Sequence, residues 1–195
     1  CLIGNNDCFE IEKYRSDYKI KRALFLEETL ARRLSDLKTT DFIYSPEEKA
    51  RRLGQGAILE SLVATEKQEW RSLALDFYSD ATNLTDRLNA LRALNHFDSA
   101  ERNTAVNHFR KTSHHVNLMN HWLRLEGSSF ITGRLKTIRS IVSERDFSIK
   151  NPNQVYSLLG CYVRNPVTIH REASLGSYQW MLETILKIDE ENPQL

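Results

Sequence analysis

The sequence predicts an all-α chain, and three observations carry that reading. Apolar residues return at steps of three and four over most of the length. Helix-capping signatures punctuate those runs. No segment alternates apolar and polar residues as a half-buried strand does, and no Asn-Gly hairpin turn occurs. Short connections make sequential helices antiparallel, so about nine of them should stack as successive hairpins. No crisp period recurs, which favours an armadillo-like α-solenoid of antiparallel helical hairpins over a regular consensus array.

The elements follow in order. Cys1 to Ser16 is polar and weakly patterned and reads as a ragged entry. Ala23, Leu26, Leu30, Leu34 and Leu37 then mark one face of a long helix. Residues 38–44 (KTTDFIY) form a connector closed by SPEE, where Ser45 is an N-cap, Pro46 the first helical residue and Glu48 the partner in a capping box. The next helix turns Leu53, Ala57, Ile58, Leu62 and Val63 inward. Gly54 and Gly56 weaken it by roughly 1 kcal/mol each relative to alanine, unless a neighbouring helix approaches closely there.

TEKQ (Thr65 to Gln68) reads as a second capping box, ahead of Trp70, Leu73, Ala74 and Phe77. In NLTDRLNALRAL, residues 83–94, Asn83 is placed to cap and Asp86 puts negative charge in the positive first turn. Leu84, Leu88, Leu91 and Leu94 share one face. DSAE (Asp98 to Glu101) opens a helix with Ala105, Val106 and Phe109. Val116, Met119, Trp122 and Leu123 mark another, with Gly127 as its C-cap. Phe130, Leu135, Ile138 and Val142 mark the one after. NPN at Asn151 to Asn153 starts a short helix with Val155, Leu158 and Leu159. A loop around Asn165 and Pro166 leads to a last helix with Tyr178, Met181, Ile185 and Ile188.

Composition narrows the function. The 195 residues are 41% hydrophobic and 27% charged, enough for one sizeable domain or two small ones. Basic and acidic residues nearly cancel at a formal charge of +1, so the excess that displaces counterions from nucleic acid is missing. No apolar run approaches the roughly 20 residues of a membrane span, and no signal-peptide pattern opens the chain. Cys1, Cys8 and Cys161 are odd in number with no C-x-x-C pair, so neither a disulfide framework nor a thiolate zinc site is expected and a reducing, cytoplasmic setting fits. A start at Cys1 in place of methionine points to a piece of a longer protein.

Candidate chemistry is sparse. His108, His114, His115 and His121 are the one histidine cluster, yet no two stand three or four apart as ligands on one helix face do. They read as capping or surface residues, with no metal site. His170, Arg171 and Glu172 form an acid–base trio on paper, and read first as a satisfied turn network. No G-x-S-x-G elbow or P-loop is present, and Cys161 falls on an apolar face where a thiol is inert packing. The pairs Arg32–Arg33 and Arg51–Arg52 read as solvated helix faces. No catalytic residue is assigned.

A family resemblance rests on ordered blocks. NLTDRLNALRAL resembles the NMTDR-A-AL helix of the C-terminal domain of bacterial-type aminopeptidase N, a gluzincin zinc metallopeptidase. SPEEKARRLGQGAILESLVAT resembles the segment preceding it. NPNQVYSLLGCYVRNPVTIH is similar to the family's NPN-V-SL-G-F---NP--FH, and GSYQWMLETILKIDEENPQ to its G-GY-FL-E-L--L---NPQ. The motif positions are Asn83, Thr85, Asp86, Arg87, Asn151, Pro152, Asn153 and His170. The likeness spans roughly residues 45–195 as a domain, with 1–44 as a partly irregular helical entry and the domain cut at both ends.

What the resemblance implies is a non-catalytic helical lid on a larger enzyme that removes N-terminal residues from peptides. Zinc would sit in that enzyme's catalytic domain, held by an H-E-x-x-H absent here, so this chain carries no cofactor and should be inactive alone. Its partners would be the catalytic domain of the same polypeptide and peptides passing through a channel, with no nucleic acid and no membrane. Gln194, in NPQ, matches a channel-lining glutamine. Tyr156 stands where family members tend to have a chamber-facing arginine. The alternative is a free-standing α-solenoid scaffold that binds protein partners.

Overall fold

In the computed structural model the described residues are 7–37, 43–95, 97–112 and 114–194; the side chains of residues 7–9, 166 and 167 lie outside the description. These residues form eleven α-helices and one 3₁₀ turn, with no strand among them. The chain divides into two compact units, Cys1–His108 and Phe109–Leu195.

The first unit opens with α1 (Asp7–Phe25) and α2 (Glu27–Asp36). Helix therefore begins inside the stretch expected to be ragged, and the long helix expected through Leu37 is two. The hydrogen-bond ladder continues across their junction, from Leu26 N–H to the Arg22 carbonyl and from Leu30 N–H to the Leu26 carbonyl. Leu26 itself is exposed while Ala23 and Leu34 are buried. The connector expected over 38–44 falls, for residues 38–42, outside the described residues.

Ser45 opens α3 (Pro46–Val63) as the spacing predicts, accepting from the Glu48 N–H at 3.1 Å. The Glu48 carboxylate turns to Arg51 and Arg52. The buried face of α3 differs from the expected one: Leu53 and Ala57 are exposed, and Arg52 and Gln55 join Leu59, Leu62 and Val63 inside. Thr65 makes no capping box. Its hydroxyl donates to the Leu62 carbonyl at 2.7 Å, and Glu66 turns the chain in the left-handed region, φ 62°, before α4 (Gln68–Asp80). The Trp70 indole N–H and the Lys67 ammonium both donate to Glu27, fastening α4 to α2. Those two hydrogen bonds hold the Glu27 carboxyl below its ordinary pKa.

Helix α5 (Leu84–Leu94) packs on both α3 and α4, with Leu88, Leu91 and Leu94 buried and Leu84 exposed. Gly56 is where α3 meets it: a Cβ there would lie 2.7 Å from Asn89 Cγ. That is the close approach that excuses a helical glycine. Next, α6 (Ala100–Thr112) buries Ala105, Val106 and Phe109, and Ser99 accepts from the Arg102 N–H at its start.

The second unit repeats this arrangement. Helix α7 (Val116–Ser128) packs chiefly on α9 (Pro152–Val163) and less on α8 (Arg134–Val142), as α3 packs chiefly on α5 and less on α4. Gly127 lies inside α7 and is no C-cap, because its φ is not positive. A Cβ on it would collide with the Leu158 carbonyl oxygen and come within 3.0 Å of the Cys161 Cβ. The loop expected at Asn165 and Pro166 is a helix, α10 (Pro166–Arg171), capped by Asn165 and followed by the 3₁₀ turn Ala173–Leu175. The last helix, α11 (Ser177–Glu191), buries Met181 and Ile188 and leaves Tyr178 and Ile185 exposed.

Candidate functional site

The NLTDR block builds a clamp in the first unit. The Asn83 side chain accepts from the Asp86 N–H at 3.0 Å and returns its own amide to the Asp86 carboxylate at 2.6 Å. Thr85 is exposed on the first turn of α5. The other Asp86 oxygen faces Arg52 Nε at 3.7 Å. Arg52 also donates to the Ile43 carbonyl at 3.2 Å, and Asn89 donates to the Arg52 carbonyl at 3.0 Å. The SPEEKARR and NLTDR blocks thus meet across α3 and α5. Arg51 and Arg52, expected on a solvated face, have side chains only 12% and 5% exposed. A buried guanidinium is tolerated here because carboxylates and carbonyls surround it.

Arg87 extends the clamp to α4, donating to the Ala81 carbonyl at 3.0 Å and standing 5.8 Å over the Tyr78 ring. The Tyr78 hydroxyl meets His108 Nδ1 at 2.8 Å. Burial raises the Tyr78 pKa, against the opposing pull of Arg87. This corner is a closed network that joins helices.

In the second unit, Asn151 caps α9 by accepting from the Asn153 N–H at 3.0 Å, with Pro152 as the first helical residue. Asn153 is exposed. Tyr156 is 53% exposed on the outer side of α9, its ring over Gly160. Gln194 is exposed in the turn after α11. The structure places both at the surface of one unit, on separate elements. His170 is exposed at the end of α10 and its Nδ1 meets the Tyr178 hydroxyl at 3.1 Å.

The acid–base trio separates into structural tasks. Arg171 donates to the Phe130 carbonyl. Glu172 is buried, and one carboxylate oxygen accepts from the Leu135 N–H at 2.7 Å and from the Tyr162 hydroxyl at 3.0 Å. It therefore caps the start of α8 from across the fold. Burial, followed by the neighbouring Glu172 charge, pushes the Tyr162 pKa far upward. Asn165 and Thr168 close the same junction by donating to the Ser129 carbonyl.

One arrangement was not read from the sequence. Ser157, Cys161 and Arg164 stand at i, i+4 and i+7 along α9, and Arg124 of α7 donates through Nε to the Ser157 hydroxyl at 3.3 Å. Arg124 and Arg164 are both exposed. Burial raises the Cys161 thiol pKa while the two guanidinium groups pull it down. The i, i+4, i+7 spacing was the available signal; the arginine from α7 was not visible in it.

Among the described residues, no group of three His, Cys, Asp or Glu is placed to hold a metal ion. His108 is engaged with Tyr78, and His115 caps α7 by accepting from the Asn117 N–H. A cleft lined by Met119, Trp122, Ile141 and Phe147 has about 10 Å³ of free space, room for one water. No helix among the described residues is long and apolar enough to cross a membrane.

Comparison with known proteins agrees with the resemblance read from the blocks. Aminopeptidase N of Escherichia coli (strain K12) is 29% identical over 151 residues, covering 76% of this chain and 17% of that protein. Aminopeptidase N of Haemophilus influenzae is 23% identical over 171 residues, covering 87% and 19%. The chain thus spans about a fifth of the length of these curated relatives. In the crystal structure of Legionella pneumophila aminopeptidase A in complex with aspartic acid, the same fold recurs with a TM-score of 0.82 at 19% identity, over 93% of this chain and 22% of that one. A family model described as "Domain of unknown function (DUF3458_C) ARM repeats" matches residues 2–195, well before the Ser45 at which the blocks begin. The chain belongs to this DUF3458_C family of ARM-repeat domains.

Proposed function

We propose that the chain is the non-catalytic C-terminal domain of a zinc aminopeptidase that hydrolyses N-terminal residues from peptides. In this reading it packs on the catalytic domain of the same polypeptide, walls the active-site chamber and restricts the peptides that enter. The carrying observation is a family match over almost the whole chain, joined to relatives named aminopeptidase N of which the chain covers only about a fifth. The proposed engine, with its zinc, lies in another domain, and Tyr156 and Gln194 are the proposed channel-facing residues. The test is the coding sequence upstream of Cys1. An in-frame H-E-x-x-H is the expected result. A start codon directly upstream, preceded by an in-frame stop, would overturn the reading.

A second reading, a free-standing scaffold for protein partners, draws on the exposed apolar side chains of the terminal helices. On α1, Tyr14, Tyr18 and Phe25 are 70%, 67% and 88% exposed, and on α11 Leu182, Ile185 and Leu186 are each more than half exposed. The lid reading has a catalytic domain to cover such surface; the scaffold reading leaves it open. The same upstream sequence decides between them.

A further inference from the structure

Helix α1 has one side tied to the fold and one side open. Lys19 donates to Glu60 of α3 at 2.5 Å and Ala23 is buried, which fixes the inner side. On the opposite side Ile11, Tyr14, Tyr18 and Phe25 recur at steps of three, four and seven, and all four are exposed. That spacing is a heptad seam, with Ile11, Tyr18 and Phe25 at a and Tyr14 at d. Its two margins carry opposite charge. Glu10 and Asp17 run along one, at g, and Arg15 and Arg22 along the other, at e, all four exposed. Glu10 and Asp17 form no ion pair among the described residues. Arg15 reaches Glu12 on its own helix at 3.8 Å, and Arg22 lies 5.9 Å from the centre of the Tyr18 ring. In a parallel helix pair, a g residue meets the e residue of its partner five positions further along. Glu10 with Arg15 and Asp17 with Arg22 have that offset. In an antiparallel pair like margins would meet, acid against acid and base against base.

From this charge complementarity we propose that α1 is a self-association surface on which two copies of the chain pair their α1 helices in parallel. The contact is isologous: Glu10 and Asp17 of each copy face Arg15 and Arg22 of the other, over a seam of Ile11, Tyr14, Tyr18 and Phe25. Isoleucine at an a position favours two strands. Lys21, at the remaining d position, lays its aliphatic stem along the seam and keeps its ammonium in water. Two heptads are too short to pair as free peptides, but the fold already holds this helix, so association has little left to order. The aromatic rings of both copies bury on the order of 1,000 Å² in all, at the weak end of specific interfaces, with a Kd on the order of 10 μM. This pairing does not rest on the lid reading.

Sedimentation velocity on the 195-residue chain from about 1 to about 200 μM should show monomer giving way to dimer, weakened severalfold by about 0.5 M salt. Tyr18→Glu, and Arg15→Glu combined with Arg22→Glu, should each weaken the dimer about tenfold or more. Unchanged thermal melting is the folding control, since these side chains are exposed. Mixing the Arg15→Glu, Arg22→Glu chain with a Glu10→Arg, Asp17→Arg chain should restore a dimer. Orientation is read by air oxidation of a chain whose own cysteines are replaced by serine. Ile11→Cys and Phe25→Cys should each give a disulfide-linked homodimer, and their mixture little of the crossed species. A chain that stays monomeric throughout overturns the proposal. So does a dimer indifferent to the α1 variants, or one dispersed by Ile185→Glu on α11 instead, or a dominant crossed disulfide. In the longer polypeptide of the lid reading, loss of the cross-link would mean that α1 is covered within the molecule, which overturns the dimer and leaves that reading standing.

Discussion

Two glycines and one glutamate show how single residues set the packing. Gly127→Ala drives a Cβ into the Leu158 carbonyl, which is backbone and cannot swing away. The substitution should destabilise the chain by about 2–3 kcal/mol in urea denaturation, an overpacking cost, although alanine is the better helix former. Gly54 is the counterexample: a Cβ there meets only Leu37 Cδ1, at 3.8 Å. Gly54→Ala should stabilise by about 0.5–1 kcal/mol in the same assay. Glu172→Ala would leave the buried Leu135 N–H and Tyr162 hydroxyl without their acceptor, at a cost of about 3 kcal/mol. Glu172→Gln keeps an acceptor oxygen and should cost well under half of that. Equal losses for the two variants would remove hydrogen bonding as the explanation.

At the scale of the element, the NLTDR helix carries a cap with an unusual dependence. Asn83→Ala removes the acceptor for the Asp86 N–H and should cost about 1 kcal/mol. Aspartate is ordinarily as good an N-cap as asparagine. Here the asparagine amide also donates to the Asp86 carboxylate at 2.6 Å, so Asn83→Asp would set two carboxylates against each other. That variant should therefore be no more stable than Asn83→Ala at pH 7. Circular dichroism melts of the two variants side by side read this directly. The pairing of alternate helices, α3 with α5 and α7 with α9, is the element-scale signature of the repeat, and each pair has a glycine whose added Cβ would meet the facing helix.

For the whole molecule, stability should fall in alkali. Tyr78 and Tyr162 are buried, and burial raises both phenol pKa values above the ordinary value near 10. The unfolded chain releases these protons first, so above about pH 10 it binds fewer protons than the native state and stability declines as pH rises. Each such tyrosine contributes a slope of up to about 1.4 kcal/mol per pH unit over that window. Denaturant midpoints between pH 9 and 11 should show the decline, and Tyr162→Phe should flatten it. An unchanged slope in that variant would assign the alkaline loss to other groups.

The sequence by itself determined the fold class, the family and the caps at Ser45 and Asn83, because each cap is made within four residues of its partner. Hydrophobic spacing located most helices for the same reason. Only the tertiary structure decided what each helix face meets. Arg52 displaced Leu53 from the interior of α3 because Asn89 and Asp86 arrive from α5, the former 37 residues along the chain. Glu172 ceased to be a candidate acid because the Leu135 N–H, also 37 residues away, needed an acceptor. Gly127 looked like a helix end and proved to be a point of close approach, and α10 formed where proline suggested a loop. Local hydrogen bonding is written in neighbouring residues, whereas burial is set by partners that only folding brings together.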